Sequence, residues 1–497
     1  APRLFFLPEN IPAGGSRPRQ AHGGRAEGAT VEAEPMHYIS TRGQAPVLGF
    51  EEAMLAGLAR DGGLYVPDHV PQLSDGHIAA MAGLPYEEVA HRVMWPYLGG
   101  AFTEAEFGDL IASAYARIDH PARAPLKQLA PGHFLLELFH GPTLAFKDFA
   151  MQLIGQLFEA VLARRGERLS IVGATSGDTG SAAIEAFRGR AGVDVFILFP
   201  DGRVSEVQRR QMTTPVEDNV HALALAGDFD ACQARVKDMF NDFPFRDAVG
   251  LTAINSINWA RVLAQVVYYF AAGVALGAPH RSVSFTVPTG NFGDIFAGYI
   301  ARRMGLPIER LVIATNTNDI LHRALQTGRY TRTEVVPTSS PSMDIQVSSN
   351  FERALFDAYG RDGAAVAQLM DELKGQGGFA ISQGALEHLR EVYGSGRAGE
   401  AEVAETIRRL QAETGELLCP HTACGVAVAE RHLGATPMVT LATAHPAKFP
   451  DAVDAATGLR PPLPNRMADL YDRPERVTQV ADDLAAIEDL ISKRRAA

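Results

Sequence analysis

The sequence predicts an α/β protein: parallel sheet covered by helices on both faces, with a smaller domain ahead of it. Three observations carry this. From residue 133 onward, short apolar runs alternate with helical patterns. The runs, such as residues 193–199, are nearly continuous in apolar side chains, as in strands buried on both faces. Loops rich in Gly, Thr and Ser follow several of these strands, which is where open parallel sheets bind ligands. A chain of 497 residues is too long for one ordinary core, so two or three domains are expected.

Taken in order, residues 1–35 are dominated by Pro, Gly, Ala and Arg without periodicity. The apolar run at 4–7 is too short for a signal peptide, and a disordered extension is expected there. Residues 36–120 read as an N-terminal domain, with a turn at Gly62 and Gly63 and helices around 85–97 and 103–116. Arg42 and Tyr65 are its candidates for facing a cleft. Residues 121–497 read as the larger region, which carries the strand–helix alternation. Strands are expected at 134–139, 169–174, 193–199, 220–226, 251–254, 283–287, 311–315 and 438–442. Residues 165–250 or so form a smaller α/β subdomain. Residues 340–416 read as a helical insertion, broken by glycines around 375–378 and 394–399. The apolar stretch 262–278 contains Gln265 and is shorter than a membrane span, so it reads as a buried helix.

A net charge of −12 argues against nucleic acid or an anionic membrane as partner. Apolar residues at 46% and charged residues at 21% are the composition of a globular protein. The three cysteines, Cys232, Cys419 and Cys424, are too few for a disulfide framework and fit a reducing, cytoplasmic setting. The spacing of Cys419 and Cys424 is loose for a metal site and has no second ligand pair, so no metal is expected. A monomer or homodimer is expected.

Lys147 is the first catalytic candidate. Apolar residues at Phe149, Leu153, Ile154, Leu157, Phe158, Val161 and Leu162 mark one helix face, and Gly166 supplies the stop. Gly141 and Pro142 make a turn just upstream. Lys147 therefore sits where a loop enters a helix, flanked by Phe146 and Phe149. Partial burial and the helix N-terminus both lower an ammonium's pKa, and a lysine of lowered pKa forms Schiff bases with aldehydes.

Four loops after strands add further candidates. Thr175, Ser176, Gly177, Asp178 and Thr179 form a turn running into a helix, where backbone N–H groups and hydroxyls can hold an anion. Gly290, Asn291, Phe292 and Gly293 form a second such loop. It lacks both the dinucleotide fingerprint and the P-loop lysine, and suits a single phosphate cradled by amides. Ser256, Asn258 and Arg261 combine neutral donors with a guanidinium at a helix start. Thr443 offers a hydroxyl at a strand end, with His445 and Lys448 just beyond it.

Six segments then occur in one order: HGPTLAFKDF at 140–149, TSGDTG at 175–180, NSINWAR at 255–261, PTGNFGD at 288–294, SPSMDIQVSSNFER at 340–353 and ATAHPAKF at 442–449. Together they closely resemble the threonine synthase family. The likeness is to its longer branch, within the pyridoxal-phosphate enzymes of tryptophan-synthase-β type, and it runs from Met36 to about Leu470. One departure is visible: Cys419 stands before Pro-His-Thr-Ala, where the family commonly has an acidic residue.

The resemblance implies fold type II: two open parallel-sheet domains with the cofactor in the cleft between them, the smaller one mobile, plus a small N-terminal domain. It implies pyridoxal 5'-phosphate bound through Lys147. Gly290, Asn291, Phe292 and Gly293 would form the cofactor phosphate cup, and Thr443 would partner the pyridine nitrogen. A hydroxyl there leaves the nitrogen largely unprotonated. Thr175 to Thr179 would hold the substrate carboxylate, and Ser256, Asn258, Arg261 and Lys448 the substrate phosphate. The implied reaction turns O-phospho-L-homoserine and water into L-threonine and phosphate. A relative that stops at 2-oxobutyrate would keep every cofactor motif. A non-catalytic cofactor-binding protein would not need Lys147. A nicotinamide dehydrogenase would need the missing glycine fingerprint.

Overall fold

The helix expected after Lys147 runs Lys147–Arg165, and the reason is visible in its packing. Phe149, Leu153, Ile154, Leu157, Phe158, Val161 and Leu162 are each at most 2% exposed. Burying one such side chain contributes roughly 1.5–3 kcal/mol. Gly166 ends the helix at φ 66°, a left-handed conformation, and its N–H is bonded to Leu162 O. Arg164 and Arg165 of the last turn pair with Glu51, tying the helix to the N-terminal region.

The computed structural model describes residues 35–252 and 254–495. The expectation for residues 1–35 lies, but for Pro35, outside the described residues. Among those described, strands Tyr38–Ser40 and Tyr65–Pro67 pair antiparallel in the N-terminal region. Helices Tyr86–Met94 and Glu104–Tyr115 follow, the latter opened by a Thr103/Glu106 capping box.

Two larger sheets carry the rest. The first has six strands in the order Tyr393–Arg397, Ile308–Thr315, Val283–Pro288, Met438–Ala442, His133–Glu137, Leu126–Ala130. All its pairings are parallel except the last, which is antiparallel. The second has five parallel strands in the order Thr478–Val480, Val220–Leu225, Val193–Pro200, Leu169–Ala174, Leu251–Thr252. Every residue of Val193–Pro200 is buried, as a central strand covered on both faces requires. The apolar helix is Trp259–Ala275. It is buried along nearly its whole length and packs on Tyr86–Met94, Lys147–Arg165 and Gly293–Arg303.

The structure differs from expectation in three places. Residues 340–416 are not helical throughout, because Tyr393–Arg397 is the edge strand of the six-stranded sheet. Its sequence, Tyr-Gly-Ser-Gly-Arg, hides it. Gly396 is needed because a Cβ there would stand 2.6 Å from Val428 Cγ1. The strand expected at 251–254 is only Leu251–Thr252. The chain also returns late to the five-stranded sheet: Thr478–Val480 adds an edge strand. Ile487 and Ile491 of helix Leu484–Arg494 pack there with Phe196, Cys232 and Met239.

Candidate active site

A cavity of about 960 Å³ opens between the two sheets. Ala174, Pro200 and Pro288, each the last residue of a parallel strand, line it, as does Thr443, which follows strand Met438–Ala442. Among the described residues no helix is long and apolar enough to cross a membrane.

Lys147 is the first residue of its helix and lies 7% exposed on the cavity wall. Its ammonium group lies 5.0 Å from the centre of the Phe146 ring and donates to Asp178 Oδ2 at 2.9 Å. Burial lowers its pKa and outweighs the attraction of Asp178, while Lys448 and Arg261 add to the lowering. The approach to Lys147 is strained: Leu144 is fully buried at φ 62°. Phe146 N donates to Thr443 O at 2.9 Å, so the loop before the lysine is fastened to the strand end that presents Thr443.

The 289–294 loop is an amide cradle. The backbone N–H groups of Gly290, Asn291, Phe292, Gly293 and Asp294 have no protein acceptor among the described residues. All five residues line the cavity. Phe292, just before helix Gly293–Arg303, is held at φ 64°. Edge contacts with Phe351 and Tyr393, ring centres 5.3 Å away in each case, hold it there. Gly290 has no room for a side chain: a Cβ would stand 2.5 Å from Ser342 O. A phosphate ester is the ligand that such a row of amides at a helix start suits.

The 175–180 loop is built differently. Thr175 Oγ1 accepts from Gly177 N and Gly180 N, both at 2.9 Å, which fixes the turn. Gly177 sits at φ 132°, under the Gln208 side chain and away from the cavity wall. Thr175, Ser176, Asp178 and Thr179 do line the cavity. Asp178 is a buried node. Beyond Lys147, it accepts from Gln208 Nε2 and Ser342 Oγ, both at 2.9 Å, and lies 3.0 Å from Lys448 Nζ. Burial alone would raise its carboxyl, but Lys147 and Lys448 hold it well below the usual range.

Of the four residues expected at the substrate phosphate, the structure brings Ser256 and Arg261 to the cavity. Asn258 is instead the N-cap of helix Trp259–Ala275, and its Nδ2 donates to Met54 O at 2.8 Å. Lys448 is 0% exposed, and its ammonium is spent on Thr143 O at 2.7 Å, Asp178 and Ser181. Arg261 is the converse. It is 3% exposed and its Nη1 has no partner among the described residues. Burial lowers its pKa to about 10, which leaves it charged at neutral pH. A buried, unpartnered guanidinium beside a cavity calls for an anion.

The 340–353 segment, to which the sequence assigned no task, straps these loops together. Ser342 reaches Asp178. Ser348 Oγ donates to Gly290 O at 2.6 Å. Asn350 Nδ2 bridges Asn291 O at 3.0 Å and Ser256 O at 2.9 Å. Arg353, wholly buried, donates through Nη2 to Ile257 O at 2.6 Å and Tyr65 O at 2.8 Å. Nothing in the sequence sets His421 apart from the helix start that follows Cys419. It lines the cavity, and its Nε2 accepts from Ser342 N at 3.2 Å, so Nδ1 carries the proton. Burial pushes it down to about 4, so it is neutral. Cys419 caps helix Pro420–Ala429, its Sγ accepting from Thr422 N at 3.4 Å, the kind of bond an acidic side chain can also accept.

A buried lysine and an amide cradle that line one cavity, each following a strand of the same sheet, with a second sheet on the other side, are the arrangement of a fold type II pyridoxal-phosphate enzyme. The family profile "Pyridoxal-phosphate dependent enzyme" matches residues 122–370. On either side, "Threonine synthase N terminus" matches 37–115 and "Threonine synthase, C-terminal" matches 422–491. The threonine synthase of Pseudomonas aeruginosa is 54% identical over 461 residues, 92% of this chain and 98% of that one. The crystal structure of PLP-bound threonine synthase from Brucella melitensis is 57% identical with a TM-score of 0.91, covering 93% of this chain and 100% of that one. Yeast threonine synthase superposes with a TM-score of 0.87 at 39% identity, covering 92% and 98%. The chain belongs to the threonine synthase family.

Proposed function

We propose that this protein converts O-phospho-L-homoserine and water to L-threonine and phosphate, the last step of threonine biosynthesis, as a pyridoxal-phosphate-dependent carbon–oxygen lyase. The observation that carries the reading is the match to threonine synthases along nearly the whole chain, with Lys147 buried at the head of the cleft. The amide cradle fits the cofactor phosphate, and Thr443 on the cavity wall fits a partner for its ring nitrogen. When bound, the cofactor supplies an electron sink for charge developing at the substrate Cα and Cβ.

The remaining work falls to the chain. Lys147 takes the proton from Cα and serves as shuttle for the later transfers, which its lowered pKa suits. Thr175, Ser176 and Thr179 offer hydroxyls to the substrate carboxylate, and Ser176 and Thr179 offer backbone N–H groups as well. Arg261 and Ser256 hold the departing γ-phosphate, where fixed positive charge counts most. Asn258 and Lys448 act one step back, the first by capping the Arg261 helix and the second by holding Asp178. Closure of the two sheets on the substrate keeps water out until elimination is complete. Three cysteines, all buried and unpaired, support a reducing, cytoplasmic location.

The test is phosphate release from O-phospho-L-homoserine with identification of the carbon product. Threonine is expected. Accumulation of 2-oxobutyrate would show that the enzyme eliminates without adding water.

A further inference from the structure

Asp178 stands between two ammonium groups. Lys147 Nζ is 2.9 Å from Oδ2 and Lys448 Nζ is 3.0 Å from Oδ1. All three side chains are at most 9% exposed. They come from three separate elements: helix Lys147–Arg165, helix Asp178–Phe187 and the turn Pro446–Lys448. Lys448 has an acceptor for each of its three N–H bonds and no exposure to the cavity. It does not line the cavity, and a buried cation with this complement of partners is costly to keep.

We propose that Lys448 is a positioning residue that divides the charge of Asp178, and so sets how tightly Asp178 holds a proton on the Lys147 nitrogen. The inference rests on the reading of Lys147 as the cofactor lysine and goes beyond it. With both ammonium groups present, the carboxylate is shared. Ser342 and Gln208 draw further on its two oxygens. The Lys147 nitrogen must carry a proton at one moment and release it at another, and a full, undivided carboxylate would keep it protonated. A divided one leaves it poised.

Other charges face Lys147 as well. Arg261 and Lys448 oppose its protonation, Asp294 lies near enough to feel its charge, and His421 beside Ser342 is neutral. On its own helix, Asp148 is buried and accepts from Thr143 N at 2.8 Å and Thr143 Oγ1 at 2.7 Å. None of these touches Lys147 Nζ; among the described residues its one hydrogen-bond partner is Asp178.

The sign follows from Coulomb's law. Removing Asp178 removes the one anion that, among the described residues, is hydrogen-bonded to the nitrogen, so the nitrogen holds its proton less tightly. Removing Lys448 removes a like charge and frees Asp178, so it holds the proton more tightly. A purely structural role for the pair would move both variants in one direction.

The experiment is a pH titration of the visible absorbance of the cofactor-loaded enzyme. Asp178→Asn is expected to lower the midpoint by about one pH unit and Lys448→Gln to raise it by a similar amount, the scale of a close charge. Should Lys448→Gln fail to fold, Ser342→Ala takes its place: it strips a donor from Oδ2 and is expected to raise the midpoint by about half a unit. Shifts of the same sign, or no titration in any of the proteins between about pH 5 and 10, overturn the proposal. Borohydride reduction and peptide mapping separate the two readings. A label on another lysine defeats the role of Lys147 itself. A label on Lys147 with unmoved midpoints defeats only the divided counter-ion.

Discussion

The 175–180 loop and the 289–294 loop both join a parallel strand to a helix, and both line one cavity. In the second, the functional groups are backbone amides, and its glycines make room against Ser342 O and Asn350. In the first, two of the amides are taken internally by Thr175 Oγ1, and the group it has that the other lacks is a carboxylate held by four side chains. The difference separates a permanent site from an adjustable one. Amides in a fixed turn hold a phosphate without a protonation state to manage. A buried carboxylate between cations responds to every change in its neighbours' charge.

The largest effect is expected at a third anion-binding group, Arg261, which has no counterpart in either loop. Arg261→Ala is expected to retain the cofactor and its absorbance while kcat/KM falls by about thirtyfold to a thousandfold, on the order of 2–4 kcal/mol in the transition state. Wild-type turnover would remove Arg261 from the reaction. Loss of the cofactor would assign its guanidinium to the amide cradle instead.

A smaller effect is expected from Gly293→Val. A Cβ there stands 3.2 Å from Asn350 Nδ2 and 3.5 Å from Ser256 O, and the added methyls need space that the cradle and strap share. Cofactor affinity should fall by about tenfold to a hundredfold, or roughly 1.4–2.8 kcal/mol. Equilibrium dialysis against pyridoxal phosphate measures it, and unchanged retention would place the phosphate elsewhere.

The smallest is Gly177→Ala, in the adjustable loop. The new Cβ meets Gln208 Cδ at 2.3 Å with φ at 132°, and the strained turn should cost about 1–3 kcal/mol of stability. Because Gly177 does not line the cavity, cofactor affinity should stay within about twofold, against the much larger loss in Gly293→Val. Thermal unfolding of the loaded enzyme, read beside dialysis, checks both halves. A drop in cofactor affinity equal to that of Gly293→Val would erase the distinction between the loops.

The same contrast explains what was legible in the sequence. The Lys147 helix, its stop at Gly166 and the buried helix Trp259–Ala275 are written in local periodicity and local turn chemistry. The amide cradle was legible because glycines announce a backbone requirement at the place where it applies. Asp178 was not. Its partners Gln208, Ser342 and Lys448 lie 30, 164 and 270 residues further on, and nothing near Thr175 points to them. Lys448 read as a cleft residue because it follows a strand end; only the fold shows that its ammonium turns inward to Thr143 O. Strand Tyr393–Arg397 was hidden because close packing against Val428 put glycine where an apolar residue would have marked it.

Arg353 has a consequence for anyone who recombines this protein with its relatives. The family profiles break at residues 115 and 122, which invites a crossover there. Yet the guanidinium of Arg353 clasps Tyr65 O on one side and Ile257 O on the other, while the neighbouring Glu352 is bonded by Thr41 and Arg42. The N-terminal region is thus keyed to the strap that shapes the cofactor cradle. A chimera cut at the profile boundary inherits a lock from one parent and a key from the other. The pieces that must travel together are Thr41, Arg42, the Tyr65–Pro67 strand and residues 340–353, three stretches far apart in sequence that form one inheritable unit.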